Sequence, residues 1–274
     1  MTRRFSIHLL LIGGVLVMLY PLLWMVSGSF KAGEEIFDGA HLWPTRATLN
    51  NYRDGWVALG VGFGEFFGNS AVIAVAAVAG NVVSCSMAAY AFARLRFTLK
   101  RLWFAAMLAS IMLPIHVLIV PQYTLFHRLG WIDTFLPLIV PKFLAVDGFF
   151  IFLMVQFIRS LPPELDDAAR IDGCGPMQIY LRIILPLMAP ALVTTAIFTF
   201  IWTWDDFFGQ LIYLNDIARY TVPLALRAFL DSSGESSWGQ MLAMATLSLI
   251  PVLAFFLVFQ RRITDGISTT GLRG

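Results

Sequence analysis

Six apolar runs constrain this chain more than any other feature. A helix needs about 20 predominantly apolar residues to cross the hydrocarbon of a bilayer. Runs of that length fall at residues 7–26, 69–92, 102–125, 135–158, 187–211 and 241–259. The third carries Pro114 and Pro121, the fourth Pro137 and Pro141, and the sixth Pro251. Prolines are tolerated in such spans because neighbouring helices can satisfy the freed carbonyls. Composition points the same way. Of the 274 residues 58% are hydrophobic and 13% charged, against roughly 25% charged in a soluble domain. The expected fold class is an all-α membrane protein with six transmembrane helices, forming a single transmembrane domain over residues 1–274.

The first run follows Arg3 and Arg4, as a signal peptide would. It continues past the length of a signal core, and no Ala-x-Ala site follows, so it is expected to be a retained span. Basic residues set the orientation. With the N-terminus inside, the inner segments hold Arg3, Arg4, Arg94, Arg96, Lys100, Arg101, Arg159, Arg170, Arg182, Arg261, Arg262 and Arg273, which is 12 of the 19 Lys and Arg. The positive-inside rule then places both termini in the cytoplasm. Trp24, Trp43, Trp56, Trp103 and Trp131 lie near span ends, where interface anchoring is the default reading.

Little in the chain suggests catalysis. Cys85 and Cys174 stand alone, and His8, His41, His116 and His127 are scattered. The sequence contains neither a Gly-rich phosphate loop ending in Lys-Ser/Thr nor a His-Glu-x-x-His run. No cofactor or metal is expected in this chain, and it does not read as an enzyme. A net charge of +2 gives no reason to expect nucleic acid. The partner implied by composition is membrane lipid.

The loop between the fourth and fifth runs departs from the charge rule. It holds Glu164, Asp166, Asp167 and Asp172 against Arg170 and Arg182. Anionic head groups would repel such a segment, whereas a basic protein surface would suit it. Pro162 and Pro163 fit the start of a helix, and acids in its first turn complement the helix dipole. Leu165, Ala168, Ala169 and Asp172 recur at helical spacing. Gly173 permits a sharp turn, and Pro176 opens a second helix with an apolar stripe of Met177, Tyr180, Leu181 and Ile184. This pattern fits a helical hairpin packed on its own membrane domain as well as it fits a docking knob.

The same loop resembles the EAA loop of binding-protein-dependent ABC importer permeases. That pattern reads Glu-Ala-Ala, three residues, Gly, nine residues, Ile, one residue, Leu-Pro. Here it falls on Asp167-Ala168-Ala169, Gly173, Ile183 and Leu185-Pro186, with Asp167 replacing the usual Glu. The tracts 168–173, 202–208 and 259–266 are similar to the carbohydrate branch, and the chain resembles the smaller partner of a maltose-type pair. The resemblance implies a subunit of a bacterial or archaeal cytoplasmic (inner) membrane complex importing a sugar or sugar derivative. Its partners would be a second homologous permease, two copies of an ABC ATPase that binds ATP and Mg, and an extracytoplasmic substrate-binding protein. Residues 163–186 would then be a cytoplasmic coupling helix region. Its contact residues would be Glu164, Asp167, Ala168, Ala169, Asp172, Gly173, Met177, Tyr180 and Pro186.

Polar residues inside spans are the natural candidates for a path. Asn81, Gln122, Trp202, Trp204, Asp205, Asp206 and Gln210 are the expected set, with Asn69 and Asp147 nearby. Helix-to-helix hydrogen bonding is the competing reading for the asparagines. The polar run 232–237 reads as a linker, and by the resemblance it would reach the binding protein. A six-span secondary transporter or channel remains the alternative function. No internal repeat favours it.

Overall fold

The computed structural model describes residues 2–37, 41–231 and 237–270. Residues 232–236, most of the polar run singled out above, lie outside the described residues. The helices are α1 (Thr2–Gly28), α2 (Asn50–Val57), α3 (Phe63–Arg94), α4 (Lys100–Ile111), α5 (Ile115–Arg128), α6 (Leu136–Ile139), α7 (Gly148–Ser160), α8 (Glu164–Ile171), α9 (Pro176–Ile179), α10 (Leu185–Leu187), α11 (Ala189–Trp204), α12 (Phe208–Tyr213), α13 (Val222–Asp231) and α14 (Trp238–Thr270). No strand occurs among the described residues.

Four segments are long and apolar enough to cross a membrane without a sharp bend: Ser6–Gly28, Phe63–Arg94, Leu136–Ser160 and Trp238–Gln260. Two more arise only if bent pairs count as one span each. The expected third span, 102–125, is therefore not one helix. It stops at Ile111 and restarts at Ile115, with a bend of 104°. The cause is local. Pro114 is extended (φ −61°, ψ 127°), and a proline disfavours the helical region for Leu113 before it. The N–H groups of Met112 and Leu113 instead close tight turns onto Ala109 and Ser110. The expected fifth span, 187–211, is likewise interrupted. Its helix ends at Trp204, and α12 begins only at Phe208. The adjacent carboxylates Asp205 and Asp206 occupy the break, and Asp206 Oδ1 accepts the Gly209 N–H at 3.0 Å.

Two compact units divide the chain. One comprises Met1–Gly68 and Tyr220–Pro251. Phe63 and Phe66 are fully buried there, edge to face at 5.4 Å, with Phe229 beside Phe63. Asn51 Nδ2 donates to the carbonyls of Ser29 and Lys31, fixing α2 onto the end of α1. None of the apolar span of α1 is buried, so its Leu, Val and Met side chains face lipid or another chain.

The second unit comprises Asn69–Arg219 and Val252–Gly274. Its core joins Cys85, Ala89 and Tyr90 of α3 to Phe150, Ile151, Met154, Val155 and Ile158 of α7. The α7 positions keep one helical face, and Phe149 and Phe152 on the other side are exposed. Between α6 and α7 runs a 3₁₀ turn, Val140–Leu144. Gly80 of α3 lies against it, so closely that a Cβ there would come within 2.9 Å of the Lys142 backbone.

A loop clip closes the far end of this unit. The Asp133 carboxylate accepts the N–H groups of Asn215 and Asp216, each at 3.0 Å, and pairs with Arg219 at 3.1 Å. The two backbone donors hold its pKa below the usual carboxylate value. A depressed folded pKa gives stability that is fully present above the unfolded pKa and is lost as pH falls through the lower folded value. Asp133→Asn should therefore lower the melting temperature of the detergent-solubilised protein at neutral pH. The difference from wild type should shrink once the pH drops below about 4. A difference independent of pH would contradict this role for the charge.

Candidate functional site

The loop that follows α7 is built as the proline and glycine positions dictate. Pro163 stands just before α8, and its carbonyl accepts the N–H groups of Asp166 and Asp167. Three acids, Glu164, Asp166 and Asp167, occupy the first turn, where the helix dipole favours negative charge. The helix ends on Gly173 at φ +82°, a left-handed conformation in which a Cβ is strained. The Cys174 N–H reaches back to the Ala169 carbonyl at 2.9 Å and the Gly173 N–H to that of Arg170 at 3.0 Å, which together form a Schellman cap. Pro176 then opens α9, and Gln178 Oε1 accepts the Gly175 N–H at 2.8 Å.

Beyond α9 the chain widens into a π-turn, Tyr180–Ile184, with the Leu185 N–H bonded to the Tyr180 carbonyl five residues back. Pro186 lacks an N–H, and its ring would clash with a carbonyl four residues earlier in a regular helix. The widened turn accommodates it.

Which residues face outward differs in part from the expectation. Glu164, Asp167, Ala168, Asp172, Gly173, Met177 and Pro186 are exposed. Ala169 and Tyr180 are not. Ala169 is buried against the chain's own unit, and Asp166 joins it on the inner face of α8 three residues away. The expected face of Leu165, Ala168, Ala169 and Asp172 is therefore split. Tyr180 is 5% exposed and shares a 2.8 Å hydrogen bond with Ser86 of α3. The expected stripe is divided as well: Tyr180 and Ile184 turn inward, while Met177 and Leu181 stay outside. Ile171, absent from the expected set, is 87% exposed at the turn. The outer face thus combines apolar Ile171, Met177 and Leu181 with acidic Glu164, Asp167 and Asp172.

Two ion pairs flank this face. Arg170 meets Asp167 at 2.8 Å, and both side chains are largely exposed. Arg94 of α3 meets Asp166 at 2.9 Å, and both are almost fully buried. The Arg94 Nε–H is not aimed along that contact, and its directed hydrogen bond runs from Nη2 to the Leu161 carbonyl at 2.8 Å. In the sequence Arg94 registers only as one of several inner-side basic residues. Its partner Asp166 looks like one acid among four.

The candidate path residues fall into separate settings. Asn81 is buried and donates to Asp147 Oδ2 at 2.6 Å and to Thr199 Oγ1 at 3.1 Å. Lys142 donates to the same Asp147 oxygen at 2.8 Å. This network ties α3, the 3₁₀ turn, α7 and α11 together, as interhelical polar groups do in lipid. Lys142 and Thr199 carry no distinguishing sequence signal. Gln122 accepts from the Tyr213 hydroxyl at 3.5 Å, and buried Gln210 donates to the Thr203 carbonyl. Trp202 is exposed beside Phe149, Phe150 and Phe198, while Trp204 is buried on Phe200. Asp205 is exposed and Asp206 half-buried at the break in the fifth apolar run. Among the described residues no group of three or more His, Cys, Asp or Glu could hold a metal ion.

Comparison with known proteins places this geometry. The family described as "Binding-protein-dependent transport system inner membrane component" matches residues 80–269. The trehalose transport system permease protein SugB of Mycobacterium tuberculosis is 36% identical over 93% of this chain and 93% of its own. The trehalose/maltose transport system permease protein MalG of Thermococcus litoralis is 32% identical over 97% and 96%. The sn-glycerol-3-phosphate transport system permease protein UgpE of Yersinia enterocolitica is 33% identical over 95% and 94%. A subunit in the crystal structure of a bacterial ABC transporter that imports the acidic polysaccharide alginate shares the fold, with a TM-score of 0.80 over 94% of this chain and 96% of that one, at 23% identity.

The two ion pairs differ in burial and so should differ in worth. Removing one partner of a buried pair costs about 3–5 kcal/mol, whereas an exposed pair is worth about 0–1 kcal/mol. Asp166→Ala should lower the melting temperature in detergent far more than Asp167→Ala. Equal losses would mean that the Arg94 contact does not hold the loop.

Proposed function

The chain belongs to the binding-protein-dependent inner membrane components, the permease subunits of ABC importers, and from that premise we propose that its loop 163–186 is the cytoplasmic coupling element through which a separate ATPase drives import of a sugar or sugar derivative. The chain is one of two homologous permeases in the cytoplasmic membrane. Two copies of an ABC ATPase bind ATP and Mg, and an extracytoplasmic binding protein delivers the substrate. Residues 1–274 act as one membrane domain of six spans, two of them broken, with both termini inside.

One observation carries this reading: the loop exposes apolar and acidic side chains together, and its backbone is fixed from within. Ile171 and Met177 give area to bury, and Glu164, Asp167 and Asp172 give charge to meet basic residues. Protein interfaces combine apolar area with polar and charged groups in this way. Small Ala168 keeps the contact face low, while Ala169 and Tyr180 set the loop's position from inside. Gly173 holds the turn that puts both helices on one surface.

The substrate class rests on the relatives, whose names give trehalose, maltose and glycerol 3-phosphate as cargo. Asn81, Gln122, Trp202, Trp204, Asp205, Asp206 and Gln210 are the candidate path residues. Asn81, Trp204 and Gln210 are buried. Exposed Trp202 and Asp205, with half-buried Asp206, are the better candidates for lining the path.

The reading is tested in vesicles holding the assembled transporter, with radiolabelled trehalose, maltose and glycerol 3-phosphate as probes. Gly173→Val strains the turn by at least about 1 kcal/mol, and Asp167→Lys reverses the charge offered to the ATPase. Both variants should insert and pair with the other permease. Both should lower uptake per ATP hydrolysed at least about tenfold, the loss expected when 1.4 kcal/mol or more of coupling is removed. Wild-type uptake and hydrolysis in both would remove the loop from the mechanism.

A further inference from the structure

Three polar contacts tie the loop to one stripe of α3. Ser86, Tyr90 and Arg94 recur at four-residue spacing and so share a helix face. Ser86 Oγ and the Tyr180 hydroxyl are 2.8 Å apart. The Tyr90 hydroxyl donates to the Pro176 carbonyl at 3.0 Å, and the rings of Tyr90 and Tyr180 lie 5.3 Å apart. Arg94 holds Asp166 and the Leu161 carbonyl. Both helices of the loop are thereby pinned: α8 by Arg94, and α9 with its π-turn by Tyr90 and Ser86. Ser86, Tyr90 and Tyr180 are all buried, so water competes little for these bonds.

The direct connection from the loop into α11 is built differently. It runs through the π-turn, then Pro186, then a 74° bend between Pro176–Leu187 and Ala189–Trp204. The bend and the proline interrupt the regular hydrogen-bond ladder of a helix there. By contrast α3 is one uninterrupted helix from Phe63 to Arg94. On this same helix Asn81 bonds Asp147 at the start of α7 and Thr199 of α11. A displacement of α3 is therefore handed sideways to both.

We propose that the loop's movement enters the membrane through α3, with Ser86, Tyr90 and Arg94 as positioning residues, and not along the chain into α11. The inference rests on the reading of the loop as the coupling element. The motion passes from the outer face of α8 and α9, through the three pins, to α3, and from Asn81 to α7 and α11.

The experiment uses the assembled transporter in lipid vesicles, with nitroxide labels at two exposed positions, Val75 of α3 and Leu125 of α5. Cys85 and Cys174 are replaced by Ala. The probe is Mg-ATP trapped with vanadate, and the readout is the change in label-to-label distance. Tyr90→Phe combined with Ser86→Ala removes two hydroxyls and keeps both aromatic rings, so packing survives. Each lost hydrogen bond weakens the coupling about two- to tenfold. The trapped shift should fall at least about threefold, while ATP hydrolysis stays within about twofold of wild type. Leu187→Gly combined with Ala189→Gly softens the direct connection at exposed positions and should leave the shift intact. The proposal is overturned if the glycine pair abolishes the shift and the hydroxyl deletions do not, or if the labels never move in wild type. Gly173→Val is the control on the premise. A normal shift in that variant would sink the coupling role of the loop itself, whatever α3 does.

Discussion

Hydrocarbon offers no hydrogen bonds, and that constraint organises this chain from its longest helices to its smallest caps. Backbone N–H and C=O groups in a bilayer must be paired within the protein. The proline-free span α3 satisfies this alone, and α1 and α14 do so except where Pro21 and Pro251 remove a donor. Where a helix breaks, a polar group stands by. Asp206 takes up a freed N–H at the start of α12, and Met112 and Leu113 turn back onto Ala109 and Ser110. Asn81, Lys142, Asp147 and Thr199 satisfy one another for the same reason, and in doing so lock four segments together.

At the loop 163–186 the construction changes. Side chains that face out there are acids, the cations Arg170 and Arg182 and scattered hydrophobes, and the side chains that face in carry specific bonds. The buried Arg94–Asp166 pair matters more than its exposed neighbour Arg170–Asp167, because desolvated charges cannot be separated without leaving one uncompensated. The Schellman cap at Gly173 adds a fixed turn. In the proposed coupling role such a firm hold is an advantage, since little of the contact free energy is then spent on ordering the surface.

Much of this was legible in the sequence. Run length marks the spans, because bilayer thickness sets it. Gly173 reads as left-handed because the turn between α8 and a proline-opened α9 demands it. The breaks were not legible. Pro21, Pro121 and Pro251 sit inside helices, whereas Pro114 stands at a break, and a proline in an apolar run reads the same in either setting. Nor could the sequence separate Ala168 from Ala169. The phase of α8 is tied to Arg94, a residue distant in the chain that looks like any inner-side cation. Nor does the apolar stripe of Met177, Tyr180, Leu181 and Ile184 show which members turn inward: Tyr180 is buried where its hydroxyl meets Ser86, a partner distant in the chain.

In the proposed arrangement the outer face of the loop meets the ATPase while its inner face meets α3. A photo-crosslinking amino acid placed at single positions in the assembled transporter tests it directly. Ile171 and Met177 are more than half exposed, and Ala169 and Tyr180 are almost fully buried. Cross-links from Ile171 and Met177 should go to the ATPase, and those from Ala169 and Tyr180 should stay within this chain. ATPase adducts from the buried pair, or none from the exposed pair in a complex that still transports, would contradict the account.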